Sequence, residues 1–337
     1  MRGVRVHRLL LAGAVSLTLA LTAACDSGGP TSVPAASPTP VGGGSVIFAT
    51  EGWETQEIAN NIAMFIVEKG YGKAVENMTM ASTSQMQLGF EEGHFAADLE
   101  MHEANYADWL AAQRRRKVVD RGNLYQTGVQ GFYVPASVTG VKTIEDVKAN
   151  PAKVGKLISC PKEFSCAQIN KIKLKAYGIP DSLQVVEPAS WAEYFKAVND
   201  ALTSGQPFLA YYREPSTLVA GAKLVRVTEP EYDALCWARI RSVQQGTKEV
   251  SELTEACAYP ADPVLKAVSR FLTDAGLQQF IFNMNIGDEK MNELIKHMAD
   301  NKTSAKDTAL FFLKNNEAMW SQWVPADVAA KAKAALG

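Results

Sequence analysis

Residues 45–227 predict an α/β chain built on mostly parallel sheets, and three observations carry that expectation. Short apolar runs recur at 46–48, 154–159, 183–186 and 208–212. Between them lie stretches whose apolar residues return at helical spacing, the crossovers that parallel strands require. From Asp262 onward the pattern becomes helical throughout, so C-terminal helices are expected to close the chain.

The first run, 46–48, is broken by Glu51-Gly52. Apolar residues then recur at Ile58, Ile62, Phe65 and Ile66, one face of a helix that Gly70 stops. In an open α/β sheet ligands sit beyond the C-terminal ends of strands, which puts Trp53 at the mouth of a site. Ser82-Thr-Ser-Gln85 caps a helix through Glu92, and 96–101 is a strand. His102-Glu103-Ala-Asn105 follows at its end, a second polar cluster on the same rim. A helix over 106–116 leads to 127–135, whose bracketing by Gly and Pro suits a strand passing from one lobe to another.

Thr143 caps a short helix, and 154–159 is the next strand. Cys160 to Cys166 is a small loop feeding a helix over 167–177. Unpaired backbone N–H groups at that helix start, near Ser165, suit a carboxylate. A strand at 183–186, a helix at 191–202 and a strand at 208–212 come next, with Tyr211, Tyr212 and Arg213 at the end of the last. Side chains alternate along a strand, so one tyrosine faces the core and the other the cleft. A further strand covers 223–227. Asp262-Pro263 reads as an N-cap followed by proline at the first helical position. Helices are therefore expected over 263–282, 288–299, 304–320 and 326–336.

The N-terminus carries Arg2, Arg5 and Arg8 ahead of an apolar stretch, 9–24, which is the pattern of a secretory signal. It ends at Leu21-Thr-Ala-Ala-Cys25, similar to the lipobox of bacterial lipoproteins, although Thr22 stands where Leu is usual. Lipidation of Cys25 is expected, giving membrane attachment through acyl chains alone. Residues 25–44 are rich in Gly, Pro and Ser and form a flexible tether.

Without the signal's arginines, 31 basic residues face 36 acidic ones. That balance does not suggest nucleic-acid binding, since the basic run Arg114–Lys117 reads as a solvated helix face. Four cysteines remain after Cys25, an even number that favours disulfides in an exported protein. Of the three possible pairings, Cys160–Cys166 and Cys236–Cys257 are chosen because each pair is close in sequence. Their spacings match no common zinc site, so no metal is expected. No nucleophile elbow, zincin, P-loop or dinucleotide motif is present, and neither an enzymatic role nor a cofactor is expected.

Several stretches together resemble the substrate-binding proteins of ABC importers for glycine betaine, proline and choline, over nearly all of 45–336. They are Trp53-Glu54; Ala97-Asp-Leu-Glu-Met-His102-Glu-Ala-Asn105 with Gly128-Val-Gln-Gly-Phe-Tyr-Val-Pro135; Cys160-Pro-Lys-Glu-Phe164-Ser-Cys166; Tyr211-Tyr-Arg-Glu-Pro215 with Cys236-Trp237; and Cys257-Ala-Tyr-Pro260. The tail 312–325 is also similar. The resemblance implies a two-lobed periplasmic-binding-protein-like fold with a hinge. Lobe one would be 45–137 plus 238–337, and lobe two 138–237. It further implies a monomer outside the cytoplasm that delivers a small solute to a membrane permease.

In this family aromatic rings cage a quaternary ammonium. The family pattern would place Trp at the positions of His102, Phe164 and Arg213, and Trp53 alone clearly matches. A guanidinium repels a trimethylammonium but pairs bidentately with a carboxylate, phosphate or sulfate. The departures imply a polar zwitterionic or anionic solute. Trp53 and Phe164 would form apolar walls, with His102 and Tyr212 hydrogen bonding. Arg213 and the backbone near Ser165 would take an anionic group, while Glu103 and Glu54 would hold an ammonium.

Overall fold

The computed structural model describes residues 44–115 and 120–337, and side chains outside 113–121. The signal, Cys25, the tether through residue 43 and the side chains of the basic run Arg114–Lys117 lie outside the described residues.

The 46–48 run becomes β1 (Val46–Thr50), followed by α1 (Glu54–Phe65) and a π-helical turn, Ile66–Gly70. Ile58, Ile62 and Ile66 are fully buried on the predicted face. Next come β2 (Val75–Thr79), α2 (Thr83–Glu92), β3 (Ala97–His102) and α3 (Glu103–Arg115). Ser82 Oγ accepts the Gln85 N–H at 3.0 Å, and Gly93 closes α2 at φ 76°. A left-handed stop of this kind suits glycine.

The middle of the chain holds β4 (Asp120–Pro135), α4 (Ile144–Ala149), β5 (Lys156–Ile158), α5 (Ser165–Ala176) and β6 (Gln184–Val186). Then follow α6 (Trp191–Thr203), β7 (Leu209–Glu214), α7 (Thr217–Ala220), β8 (Leu224–Arg226) and α8 (Ala234–Gln244). The final part is β9 (Asp262–Val268), α9 (Ala275–Asn283), α10 (Asp288–Asn301), α11 (Ala305–Asn315), α12 (Glu317–Trp320) and α13 (Ala326–Ala334).

One expectation is overturned. Asp262-Pro263 does not start a helix, because residues 262–268 form strand β9 between β3 and β4, antiparallel to both. Pairing on both edges and burial on both faces win over the local cap signal. Asp262 does cap a helix, but a distant one: its carboxylate accepts the Ala104 N–H of α3 at 3.3 Å.

Among the described residues the strand order is β2-β1-β3-β9-β4-β7-β5-β6, with β8 beside β4. The outer strands pair in parallel, β1 with β2 and β3, and β5 with β6 and β7. The strands that join the halves are antiparallel. The long β4 pairs with β9 through Gly128 and with β7 from Val129 onward, so one strand belongs to both halves of this two-lobed α/β fold.

Two large cores flank the changeover. One gathers α1, α9, α10 and α11 around β1 and β9. The other gathers α5 and α6 around β5 and β7, and takes in Trp237, Ile240, Cys257 and Tyr259. Cys160–Cys166 and Cys236–Cys257 are bonded as expected, both within the second core. No helix of the described residues is long and apolar enough to cross a membrane.

Candidate functional site

Where β4 changes partners, the C-terminal ends of β1, β3 and β7 converge, and side chains from both halves meet. Trp53 stands just ahead of α1, and its ring is only 3% exposed. It reaches into the second core, with ring centroids 4.4 Å from Trp191, 5.1 Å from Phe195 and 6.0 Å from Tyr212. Phe164 continues this wall at 5.3 Å from Trp191.

Arg213 lies against Trp53, its guanidinium carbon 3.5 Å from the ring centroid, and is 5% exposed. Its Nη2 forms an ion pair with Glu100 Oε1 at 3.3 Å, but neither Nη2 nor Nε has a hydrogen-bond partner among the described residues. Glu100 also meets His102 Nε2 at 3.3 Å, and His102 Nδ1 faces Asp262 at 3.3 Å. Gly128 makes room for this pair, because a Cβ there would stand 3.0 Å from both the Asp262 carbonyl and His102 Cε1.

The electrostatics follow from burial against pairing. For His102, burial and the Arg213 charge push the pKa down, but carboxylates on both ring nitrogens outweigh them and the net shift is upward. Burial pushes Glu100 up, yet Arg213 and His102 bring it below its ordinary value. Glu51, which accepts the Tyr106 hydroxyl at 2.9 Å, is raised by burial. Glu54, which accepts the Thr217 N–H at 2.8 Å and bonds its hydroxyl, is raised for the same reason. Burial lifts Asp98 to about 7. Acidic groups thus outnumber the cations Arg213 and His102 in this region.

The structure brings together Trp53, His102, Phe164, Tyr212 and Arg213, linked directly or through Trp191 and Glu100. Glu103 opens α3 half-buried, and the carboxylates that meet Arg213 and His102 are Glu100 and Asp262. The Ser165 N–H donates to Thr83 Oγ1 at 3.1 Å, and its hydroxyl donates to the Asn105 carbonyl at 3.1 Å. In this conformation Ser165 is therefore a contact between the halves. Sequence reading passed over Asp98 and Glu100, although Asp98, Glu100 and His102 recur with period two on a strand, and it passed over the ring cluster Trp191, Tyr194 and Phe195.

The sequence matches the family model described as the substrate binding domain of ABC-type glycine betaine transport systems over residues 44–315. A choline binding protein solved with choline is 18% identical, with a TM-score of 0.66, covering 87% of this chain and 98% of its own. The glycine betaine, L-proline binding protein ProX of Borrelia burgdorferi is 16% identical, with a TM-score of 0.65, covering 86% and 99%. Lactococcal OpuAC, closed on glycine betaine, is 13% identical, with a TM-score of 0.62, covering 84% and 100%. No sequence match was found among curated proteins. At these identities the structural likeness establishes the fold.

Proposed function

Because the chain belongs to the family of substrate-binding domains of ABC-type glycine betaine transport systems, we propose that it binds a small zwitterionic or anionic solute between its lobes. It hands that solute to a membrane permease, acting as a monomer held to the outer face of the membrane by a lipid on Cys25. The choline and glycine betaine complexes among the similar structures support a betaine-like or amino-acid-like size.

The observation that carries this reading is Arg213, buried on the face of Trp53 and paired with Glu100, with Nε and Nη2 both lacking a hydrogen-bond partner among the described residues. A buried guanidinium N–H without an acceptor favours a ligand that brings an oxyanion. The half-buried acids Glu51, Glu54 and Glu103 favour a ligand that also carries an ammonium, hence a zwitterion before a simple anion. Trp53 and Phe164 serve as walls, His102 and Tyr212 as hydrogen-bonding groups, and Glu103 as a further contact for the cationic end. The Ser165 N–H becomes available to a ligand only when the contact with Thr83 is released.

For the lobes we draw the first boundary near residue 128, where β4 passes from β9 to β7 and Phe132, Tyr133 and Val134 join the second core, and the second near residue 260, since Cys257 and Tyr259 pack in that core. Ligand contacts from both lobes exist only in the closed form, so binding shifts the population toward it. A thermal-shift screen of the mature protein tests the assignment. Glycine betaine, choline, carnitine and proline are compared with amino acids, dicarboxylates, phosphonates and sulfonates. A ligand at a hundred times its Kd adds about 2.7 kcal/mol. Stabilisation by choline and by no oxyanion-bearing solute would refute the assignment.

A further inference from the structure

We propose that the face of Trp53, with Glu51, Glu54 and Glu100 around it, is a cation seat that Arg213 fills from within the chain. Arg213 thereby sets specificity by standing where a ligand's cation would otherwise bind. This rests on the solute-binding reading above.

The geometry is that of a cation bound by a ring and acids. The guanidinium carbon lies 3.5 Å from the Trp53 centroid, within the range of strong cation–π attraction. Glu100 is 3.3 Å from Nη2, and both Glu51 and Glu54 are close enough to feel the Arg213 charge. One buried carboxylate thus pairs with the guanidinium, and two half-buried ones lie within reach of its charge. What keeps another cation out is the space and ring face that Arg213 itself occupies.

Truncating Arg213 would leave a flat apolar face and, 3.3 Å from the vacated position, a carboxylate whose remaining basic partner among the described residues is His102. The matching ligand class is a small planar monosubstituted guanidinium, which stacks on the ring and pairs with the carboxylate as the side chain does. An alkylammonium is the poorer second, because it stacks less well.

The test titrates methylguanidinium chloride into the mature protein by calorimetry, with sodium chloride at equal ionic strength as reference. The wild type is expected to show no saturable binding. Arg213→Ala, with its native fold checked by circular dichroism, is expected to bind with a Kd on the order of 1 mM. Adding Glu100→Gln should weaken that by about tenfold or more, because the charge-assisted partner is gone. If Arg213→Ala does not fold alone, methylguanidinium must restore the native spectrum where sodium chloride does not. Equal binding by wild type and Arg213→Ala, no binding by the folded variant, or no restoration of an unfolded one overturns the inference. Failure of the solute screen with wild type refutes the oxyanion reading and leaves this result standing, since methylguanidinium probes the seat alone.

Discussion

Trp53→Ala separates a closure residue from a core residue. Trp53 sits among the first half's elements in sequence, yet its ring is buried among Trp191, Tyr194, Phe195 and Tyr212 of the second core. Each aromatic pair contributes roughly 0.5–1.5 kcal/mol beyond area burial, and the Arg213 stack adds up to about 2 kcal/mol. These share one ring and do not add in full, so the scale is the roughly 3–5 kcal/mol of a buried Trp→Ala truncation. If the ring leaves the second core when the lobes part, that loss falls on the closed form.

Affinity for the best solute of the screen should then fall by about a hundredfold or more. The unfolding free energy without ligand should fall by less than about 1 kcal/mol, the span of an ordinary surface substitution. Trp191→Ala is the contrast: its ring stays within its own half, so the expected loss of roughly 3–5 kcal/mol appears in urea unfolding. Calorimetric titration and urea melts of both variants decide the matter. If Trp53→Ala loses the full stability and keeps its affinity, Trp53 is a core residue and the closure argument fails.

Three further outcomes follow from single contacts. Asp98 binds its proton up to about pH 7 in the folded protein against 3.8 as the ordinary value, so the folded state holds more protons and stability declines as pH rises between them. At 1.36 kcal/mol per unit the decline is up to about 4 kcal/mol, and Asp98→Asn, which retains Oδ1 for Gln56 and the Glu100 N–H, should flatten it in urea melts from pH 4 to 8. Lys266 donates to the carbonyls of Ile281 at 2.8 Å, Phe282 at 3.0 Å and Met284, so Lys266→Met strands buried acceptors and should cost about 2–4 kcal/mol by chemical denaturation. Replacing Cys236 and Cys257 with serine opens a loop with a sequence separation of 21, and the melting free energy should fall by about 3 kcal/mol, as should that of the protein reduced only at this bond.

What was legible in the sequence was what local physics decides. Gly93 and Ser82 end and begin α2 because a left-handed stop and a side-chain cap act within one turn. Strand β2 was not legible: Val75–Thr79 is an edge strand with mostly exposed residues and no apolar run. Nor was β9, whose buried Val264, Leu265, Lys266 and Ala267 follow no period because both faces are covered. Its opening Asp262-Pro263 imitates a helix start while the carboxylate serves α3.

At the site, Trp53, His102 and Arg213 were legible because each follows or ends a strand on one rim. Their partners were not, since Trp191, Tyr194 and Phe195 at helical spacing look like any core face, and here they are core and site wall together. Arg213 shows the limit most sharply. Its chemistry alone announces an anion receptor, but a guanidinium held on an indole face beside Glu100 is also a bound cation. Which of the two it is depends on the carboxylates gathered round it by strands far apart in the chain. That is why the charge of one cleft residue fixes a ligand class only after its own counter-charges have been counted.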